Sequence, residues 1–286
     1  STEKTSTTIL FNPEGEYACF GYEAEDEYTK LALKEEHKNW YYFRRFKMQL
    51  LKSNHRKLRR GMTICDETGK RMPAIKIFSE SIRYLVKHFH AYVETTGARY
   101  QENEIKWLIT VPAIWDDGAQ QFMREAANLA GVTNDQLEIA LEPEAGAIFS
   151  IKEISLKKEG RSLFPRSPGT TFMIVDCGGG TVDILVGSVM GDGTFKEVCA
   201  PRGGPWGGTT VDSAFVSFLE EIFGKAIIQN FEDNYKLEHI ELMRSFEVLK
   251  RKFREETMVI RISIDLISLI KEERKGQSLE EKISRS

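Results

Sequence analysis

The chain has 286 residues, of which 41% are hydrophobic and 29% are charged, and its formal net charge is −3. This composition is typical of a globular protein and excludes disorder over most of the chain. The near balance of acidic and basic side chains gives no general attraction to nucleic acid or to an anionic membrane, so neither is an expected partner. No apolar run reaches the roughly 18 residues that a transmembrane helix needs. The four cysteines lie far apart in the sequence, which favours reduced thiols and a cytoplasmic location.

Residues 1–103 are predicted to contain a hairpin, an aromatic-rich helix, a basic loop and a long helix. β-prone residues on both sides of a turn at residues 12–16 predict the hairpin. Residues 23–51 have helical spacing and predict one helix. The face of that helix is expected to carry Trp40, Phe43 and Lys47.

The basic loop is predicted over residues 52–71. A basic stretch that runs from the end of the preceding helix into this loop consists of Lys47, Lys52, Arg56, Lys57, Arg59 and Arg60. A contact with nucleic acid is one interpretation, but a solvated loop is favoured because no aromatic stacking platform follows. The long helix is predicted over residues 73–96, with a stop at Gly97. The residues expected on its buried side are Ile77, Leu85 and Phe89.

Residues 104–154 alternate between strand and helix patterns, which is typical of an α/β fold. The predicted elements are a strand over residues 105–111, a helix capped by Asp116 or Asp117 and ended by Gly131, a strand over residues 137–141, and a helix that starts at Glu142. Acids and a proline in the first turn of the last helix suit the helix dipole.

Residues 171–286 begin with three predicted strands and continue with helices. The strands cover residues 171–176, 182–190 and 194–199. A glycine-rich stretch at residues 203–208, here named the second glycine loop, leads into an amphipathic helix. The residues expected to be buried on that helix are Val211, Ala214, Phe215, Phe218, Leu219 and Ile222. A helix over residues 237–254 and a strand over residues 258–264 follow.

The strongest functional signal is the stretch Asp-Cys-Gly-Gly-Gly-Thr-Val-Asp between the first two of these strands. The glycines at 178–180 let backbone N–H groups approach a ligand, and with Thr181 they make the first glycine loop, a nest suited to phosphate oxygens. Asp176 and Asp183 flank this loop. Two carboxylates beside phosphates suit Mg²⁺ bound through water, or the orientation of an attacking water. The alternative is a tight glycine hairpin with capping acids. Neither the Rossmann nor the P-loop motif fits the pattern.

The motif resembles the second phosphate loop of the actin-like ATPase superfamily and, within it, of the heat shock 70 kDa chaperone family. Further stretches resemble that family in the same order, at residues 108–113, 141–147, 207–212 and 246–251. Residues 43–48 and 204–208 resemble the divergent branch named heat shock 70 kDa protein 12. The likeness covers nearly the whole chain, and it implies α/β, actin-like ATPase (ribonuclease H-like) lobes.

The resemblance also implies how the chain is divided. Residues 1–103 would be part of the first lobe, residues 104–154 its connecting α/β segment, and residues 171–286 a truncated second lobe with the phosphate loop and an adenosine-side helix. The family's first phosphate loop, Asp-x-Gly-Thr-Thr, and its closing Gly-Gly-x-x strand have no counterpart in the sequence. We therefore expect a fragment of the ATPase domain in which both lobes are incomplete.

The resemblance implies ATP or ADP with Mg²⁺ as ligands and assigns roles to residues. The residues implied in catalysis are Lys47, Glu142, Asp176, Thr181 and Asp183, of which the two aspartates would hold the water shell of the metal. The residues implied in cofactor binding are Gly178, Gly179, Gly180, Gly207, Gly208, Glu247, Lys250 and Arg251. Two positions depart from the family pattern. The glutamate that follows the paired glycines in the family is Thr209 here, and an arginine that the family uses for signalling between domains is Gln120. We therefore expect that ATP affects substrate binding differently than in a standard chaperone of this family.

The implied function is that of an ATP-binding domain fragment from a divergent heat shock chaperone of the stress response. Hydrolysis of ATP to ADP and phosphate would drive lobe closure in the complete protein, and we expect the fragment alone to be inactive. Client and cochaperone proteins are the implied partners. Two alternatives stay open: a sugar-kinase-like phosphotransferase of the same superfamily, and an interaction scaffold that does not use nucleotide.

Overall fold

The computed structural model describes residues 4–52, 61–156, 167–192, 194–254 and 257–274. Its contacts divide the chain into two compact units. The first unit contains residues 1–28 and 37–207, and the second contains residues 29–36 and 208–286. The boundaries predicted near residues 103 and 154 divide the chain by the lobes of the complete family fold, not by its contacts. They therefore stay predictions. In the ranges given above, no helix combines the length and the apolar content needed to cross a bilayer.

The first sheet of the first unit is antiparallel and has the order β2-β1-β3. Its strands are β1 (Thr8–Phe11), β2 (Tyr17–Phe20) and β3 (Tyr41–Arg44). The hairpin β1–β2 is the one predicted. Helix α1 (Tyr22–Leu33) follows it.

The single helix predicted over residues 23–51 is wrong. α1 ends at Leu33, and β3 and the short helix α2 (Lys47–Lys52) follow. Tyr42 in β3 stacks on Tyr28 with ring centroids 3.8 Å apart, and its neighbour Phe43 packs edge-on against Phe11 at 6.0 Å. Because both faces of β3 are covered, its sequence lacks the apolar–polar alternation of a half-exposed strand, and the aromatic residues gave a false helical period.

The next segment forms a small hairpin, β4 (Thr63–Cys65) with β5 (Arg71–Pro73), and then helix α3 (Ala74–Thr96). Gly97 ends α3 with a φ of 69°, which confirms the predicted stop. Most of the basic stretch, residues 53–60, lies outside the described residues.

The buried side predicted for α3 is only partly right. Ile77 is fully buried, but Leu85 and Phe89 are 49% and 37% exposed. The core residues of this helix all lie in its N-terminal half and end at Ile82. The regular spacing of apolar residues along α3 continues past Ile82, the last buried residue of this helix, so it predicted too many buried residues.

The alternating segment has the predicted order, and the two strands are parallel. Its elements are β6 (Trp107–Val111), α4 (Asp117–Ala130), β7 (Leu137–Leu141) and α5 (Glu142–Leu156). Asp116 is the N-cap of α4 and accepts a hydrogen bond from Ala119 N at 2.9 Å. Parallel strands end at the same edge of a sheet, so the residues after Val111 and Leu141 leave β6 and β7 side by side.

A second antiparallel sheet in the first unit has the order β10-β9-β8. Its strands are β8 (Thr171–Cys177), β9 (Val182–Val189) and β10 (Phe195–Gly204). The pairing of β8 with β9 confirms the predicted hairpin. β10 is longer than predicted and includes Gly203 and Gly204 of the second glycine loop, while Gly193 in the turn before it lies outside the described residues. α5 packs against β8 and β9.

The described part of the second unit is mostly helical, and residues 257–263 belong to neither a helix nor a strand. Its main helices are α6 (Gly208–Phe223), α7 (Lys225–Asn234), α8 (Lys236–Lys252) and α9 (Ile264–Arg274). The sequence did not predict α7, and the strand predicted over residues 258–264 is wrong. Ile264 instead begins α9, whose fully buried Leu266 and Ile270 are spaced by one helical turn.

The buried face predicted for α6 is partly wrong as well. Phe215, Leu219 and Ile222 are buried, but Val211 and Phe218 are 48% and 51% exposed, and Ala214 is exposed too. The apolar residues of α6 therefore extend around the helix beyond the face that packs against the core of this unit.

Candidate functional site

The first glycine loop is the turn of the β8–β9 hairpin. Gly178 N donates to Thr181 O at 2.9 Å and closes the turn. Asp176 and Asp183 stand directly opposite each other in the register, and opposite residues on paired strands point to the same face. Both carboxylates therefore lie on one face of the sheet, next to the glycines. Thr181 is buried, with 6% of its surface exposed.

The second glycine loop lies directly against the first. Gly207 N donates to Gly180 O at 3.3 Å. A Cβ atom on Gly207 would stand only 2.7 Å from Gly178 O and 2.6 Å from the carbonyl carbon of Gly180. No residue with a side chain could come this close without moving the backbone. The two loops thus form one continuous backbone surface, in which Gly179 keeps open space because a Cβ there would have no neighbour within 4 Å.

Asp183 also connects this loop to the parallel strands. Its Oδ1 accepts a hydrogen bond from Ala113 N at 2.9 Å, just after the end of β6. Asp183 is 1% exposed, so this bond compensates a carboxylate that would otherwise be buried without a donor. The contact brings the ends of β6 and β7 to the glycine loop.

Glu142 enters the same region from the end of β7, where it begins α5. Burial raises the pKa of Glu142, and the negative charges of Asp183 and Asp176 raise it further, while Lys47 opposes both effects. Three carboxyl groups therefore interact electrostatically at this edge. Among the described residues, however, no three side chains of the metal-binding types lie close enough to hold one ion. A divalent ion here would need water for most of its coordination.

Lys47 brings a positive charge to this region. It stands at the start of α2, forms an ion pair with Glu142, and lies 5.9 Å from the ring centroid of Trp115. Trp115 is 5% exposed, and its Nε1 has no hydrogen-bond partner among the described residues. A buried donor without a partner is costly, so an added oxygen atom of a water or a ligand would be favourable there.

The remaining predicted residues lie in the second unit, on the last turns of α8. Lys250 Nζ donates to Asp212 Oδ1 at 2.6 Å and to Gly208 O at 3.2 Å, and it also pairs with Glu247. Arg251 Nε donates to Glu247 Oε1 at 2.7 Å. Partial burial would raise the pKa of Glu247, but its bonds to Lys250 and Arg251 outweigh this and lower it.

The structure thus gathers the predicted residues into two sets. The set in the first unit is Lys47, Glu142, Asp176, Gly178, Gly179, Gly180, Thr181, Asp183 and Gly207. The set in the second unit is Gly208, Glu247, Lys250 and Arg251. Their roles toward a ligand stay predictions.

Sequence reasoning missed three contributors to these sets. The side chain of Met48 fills the space next to Gly180 where a Cβ would stand. Ala113 N donates a hydrogen bond to Asp183, and Asp212 accepts one from Lys250. Met48, Ala113 and Asp212 each lie inside a stretch that carries the family resemblance. Their place in those motifs was the available signal.

Replacing Lys47 with methionine is expected to lower the free energy of unfolding at pH 8 by about 1–2 kcal/mol. This is less than for a fully buried pair because Lys47 is 38% exposed, and the loss leaves the Glu142 carboxylate beside two aspartates. A raised pKa means that native Glu142 holds its proton at a pH where the unfolded chain has lost it, so stability falls as pH rises above about 4.3. The methionine variant should therefore lose more stability at pH 8 than at pH 5.

Urea unfolding at both pH values checks this prediction, with Lys47→Arg as the control that keeps the charge. An equal loss at pH 5 and pH 8 would contradict it, since the effect would then come from packing.

Comparison with known proteins finds a matching family model and similar curated proteins. Residues 54–286 match the family model described as Hsp70 protein. The chain is 32% identical over 299 residues to human heat shock 70 kDa protein 12B, and 32% identical over 300 residues to human heat shock 70 kDa protein 12A. These alignments cover 87% and 88% of this chain but 43% and 44% of the relatives. The chain thus spans less than half the length of these curated relatives.

A more distant similarity points to the same family. The chaperone protein DnaK of Endomicrobium trichonymphae is 26% identical over 125 residues, which is 43% of this chain and 18% of that protein. The predicted resemblance and the predicted fold class are confirmed by these matches.

Proposed function

Because the chain belongs to the Hsp70 protein family, we propose that it binds the phosphates of ATP or ADP at its two contacting glycine loops. The region is homologous to the ATPase domain of that family. In the complete protein the same site would hydrolyse ATP to ADP and phosphate, and hydrolysis would drive closure of the lobes.

The observation that carries the proposal is the contact between Gly207 and the first glycine loop. A hairpin turn alone requires no second glycine segment against it. Here Gly207 lies so close to the first glycine loop that a Cβ on it would stand 2.7 Å from Gly178 O. At Gly179, by contrast, a Cβ would have no neighbour within 4 Å. Packed glycine backbone with an open centre is the arrangement that lets several N–H groups meet one phosphate.

The charged residues around the loops suit the other parts of the ligand. Asp176 and Asp183 would hold Mg²⁺ through its water shell, and the ion would neutralise phosphate charge. Lys47 and Glu142 would orient the γ-phosphate and the attacking water. Lys47 now pairs with Glu142, so a phosphate would compete with that carboxylate for the lysine.

Nucleoside binding is assigned to the second unit. Glu247 would bond to the ribose hydroxyls, Lys250 would hold Glu247 in place through their ion pair, and Arg251, whose side chain is 74% exposed, would stack on adenine. A guanidinium plane is suited to such stacking.

The wider role follows from the family and is part of the proposal. We assign the protein to a divergent group of heat shock chaperones that act in the stress response, with client and cochaperone proteins as partners. A cytoplasmic location is supported by its cysteines, since none of the four forms a disulfide in the described part of the chain.

Calorimetric titration of the chain with Mg·ATP, Mg·GTP and tripolyphosphate tests the proposal. We expect Mg·ATP to bind more tightly than either of the other ligands, because only ATP carries both a triphosphate and an adenine base. Absence of binding by all three at millimolar concentration would contradict the proposal and favour the nucleotide-independent scaffold.

A further inference from the structure

Asp212 is a buried acid that the proposed function has not used. It lies in the first turns of α6, and its side chain is 5% exposed. A carboxylate this deeply buried is costly unless it is paired with a cation or with several donors. Its partner therefore indicates what the residue does.

That partner is Lys250, whose contacts use its whole bonding capacity. An ammonium group has three N–H donors and no acceptor. Lys250 Nζ meets Asp212 Oδ1 at 2.6 Å, Gly208 O at 3.2 Å and the carboxylate of Glu247. Three acceptors thus surround three donors, and the lysine is fixed rather than free to rotate.

Aromatic packing next to this pair holds the two helices in register. Phe215 on α6 stacks on Phe246 on α8, with ring centroids 3.9 Å apart and the planes within 6°. Phe215 is three residues after Asp212, and Phe246 comes directly before Glu247. The backbone that carries the ion network is therefore set by a packed contact between α6 and α8.

The network has a buried end and an exposed end. Asp212 and Lys250 are 5% and 17% exposed, whereas Glu247 and Arg251 are 35% and 74% exposed. Glu247 receives bonds from both Lys250 and Arg251. Whatever fixes Lys250 thus also fixes the carboxylate and the guanidinium that face outward.

We propose that Asp212 is a positioning residue for nucleoside binding, which acts through Lys250 to hold Glu247 and Arg251 in their binding orientation. Asp212 does not touch the nucleoside, since it is enclosed by the helices. This inference rests on the proposed function, because it assumes that the exposed end of the network meets a nucleoside.

The test compares two ligands in Asp212→Asn. Asparagine keeps the shape of the side chain but loses its charge, so it should weaken ATP binding by about 10–100-fold and leave tripolyphosphate binding within about twofold. Glu241→Gln is the matched control, since it removes one negative charge from an exposed position on α8. It should change neither affinity.

A second variant removes both charges together. Asp212→Asn combined with Lys250→Gln leaves no unpaired buried ion, so it tests the proposal even if the single variant does not fold. It should show the same selective loss of ATP binding. Adding Glu247→Gln should cause little further loss, because residues that act as one network are not additive.

The inference is overturned if ATP binds to the folded variants as it does to the unmodified chain, or if ATP and tripolyphosphate lose affinity equally. Failure of the unmodified chain to bind ATP would instead overturn the proposed function itself, and with it this inference.

Discussion

Replacing Gly207 with alanine is expected to destabilise the chain and to abolish nucleotide binding at the same time. The new Cβ would lie 2.6–2.7 Å from three backbone atoms of the first glycine loop. Backbone atoms cannot swing away as a side chain can, so the loops must separate. Overpacking of this kind costs about 1–3 kcal/mol. Urea unfolding and calorimetric titration with Mg·ATP measure the two effects.

Gly179→Ala is the matched control, because a Cβ at Gly179 has no neighbour within 4 Å. This variant should unfold like the unmodified chain, yet it should bind Mg·ATP more weakly, since its methyl group occupies the space proposed for a phosphate. Unchanged stability in Gly207→Ala would contradict the described contact. Unchanged affinity in Gly179→Ala would contradict the place assigned to the phosphate.

Asp176→Asn is expected to remove the dependence of ATP binding on Mg²⁺. The unmodified chain should bind ATP at least about tenfold more tightly with Mg²⁺ than without it, which corresponds to about 1.4 kcal/mol. In the variant, one of the two carboxylates that face the water shell is neutral. Metal-free ATP should even bind more tightly to the variant, because a negative charge near the phosphates has been removed.

Asp192→Asn is the control for this charge change. Asp192 lies in the turn at the opposite end of β9, where its Oδ1 accepts from Thr194 N at 2.9 Å, and an asparagine can accept the same bond. It should leave the effect of Mg²⁺ on ATP affinity unchanged. An equal effect of Mg²⁺ in Asp176→Asn and in the unmodified chain would contradict the role of Asp176.

The local geometry of the first glycine loop was predictable from the sequence. An apolar strand, three glycines and a second strand define a hairpin, and a hairpin with this turn places Asp176 opposite Asp183. The same holds for β6 to α5, where the N-cap Asp116 and the stop at Gly131 are chemical signals carried by single residues. Such features depend on neighbours within a few residues.

Contacts between distant segments were not predictable in this way. Nothing in the pattern around Gly207 shows that it packs on Gly180, and nothing around Lys250 shows that it reaches Asp212. The aromatic stretch at β3 was mistaken for a helix because both its faces are covered by partners far away in the sequence. Lys47 entered the candidate site only through the family resemblance, and the structure pairs it with Glu142, 95 residues away.

The central claim is that phosphates bind at the first glycine loop, and the most direct test is an NMR titration of the isotopically labelled chain with Mg·ATP. The amide signals of Gly178, Gly179, Gly180 and Thr181 should shift together and reach saturation with one dissociation constant. The signal of Gly207 should follow them because of its contact with Gly180. Unchanged positions of these five signals up to several millimolar Mg·ATP would contradict the claim.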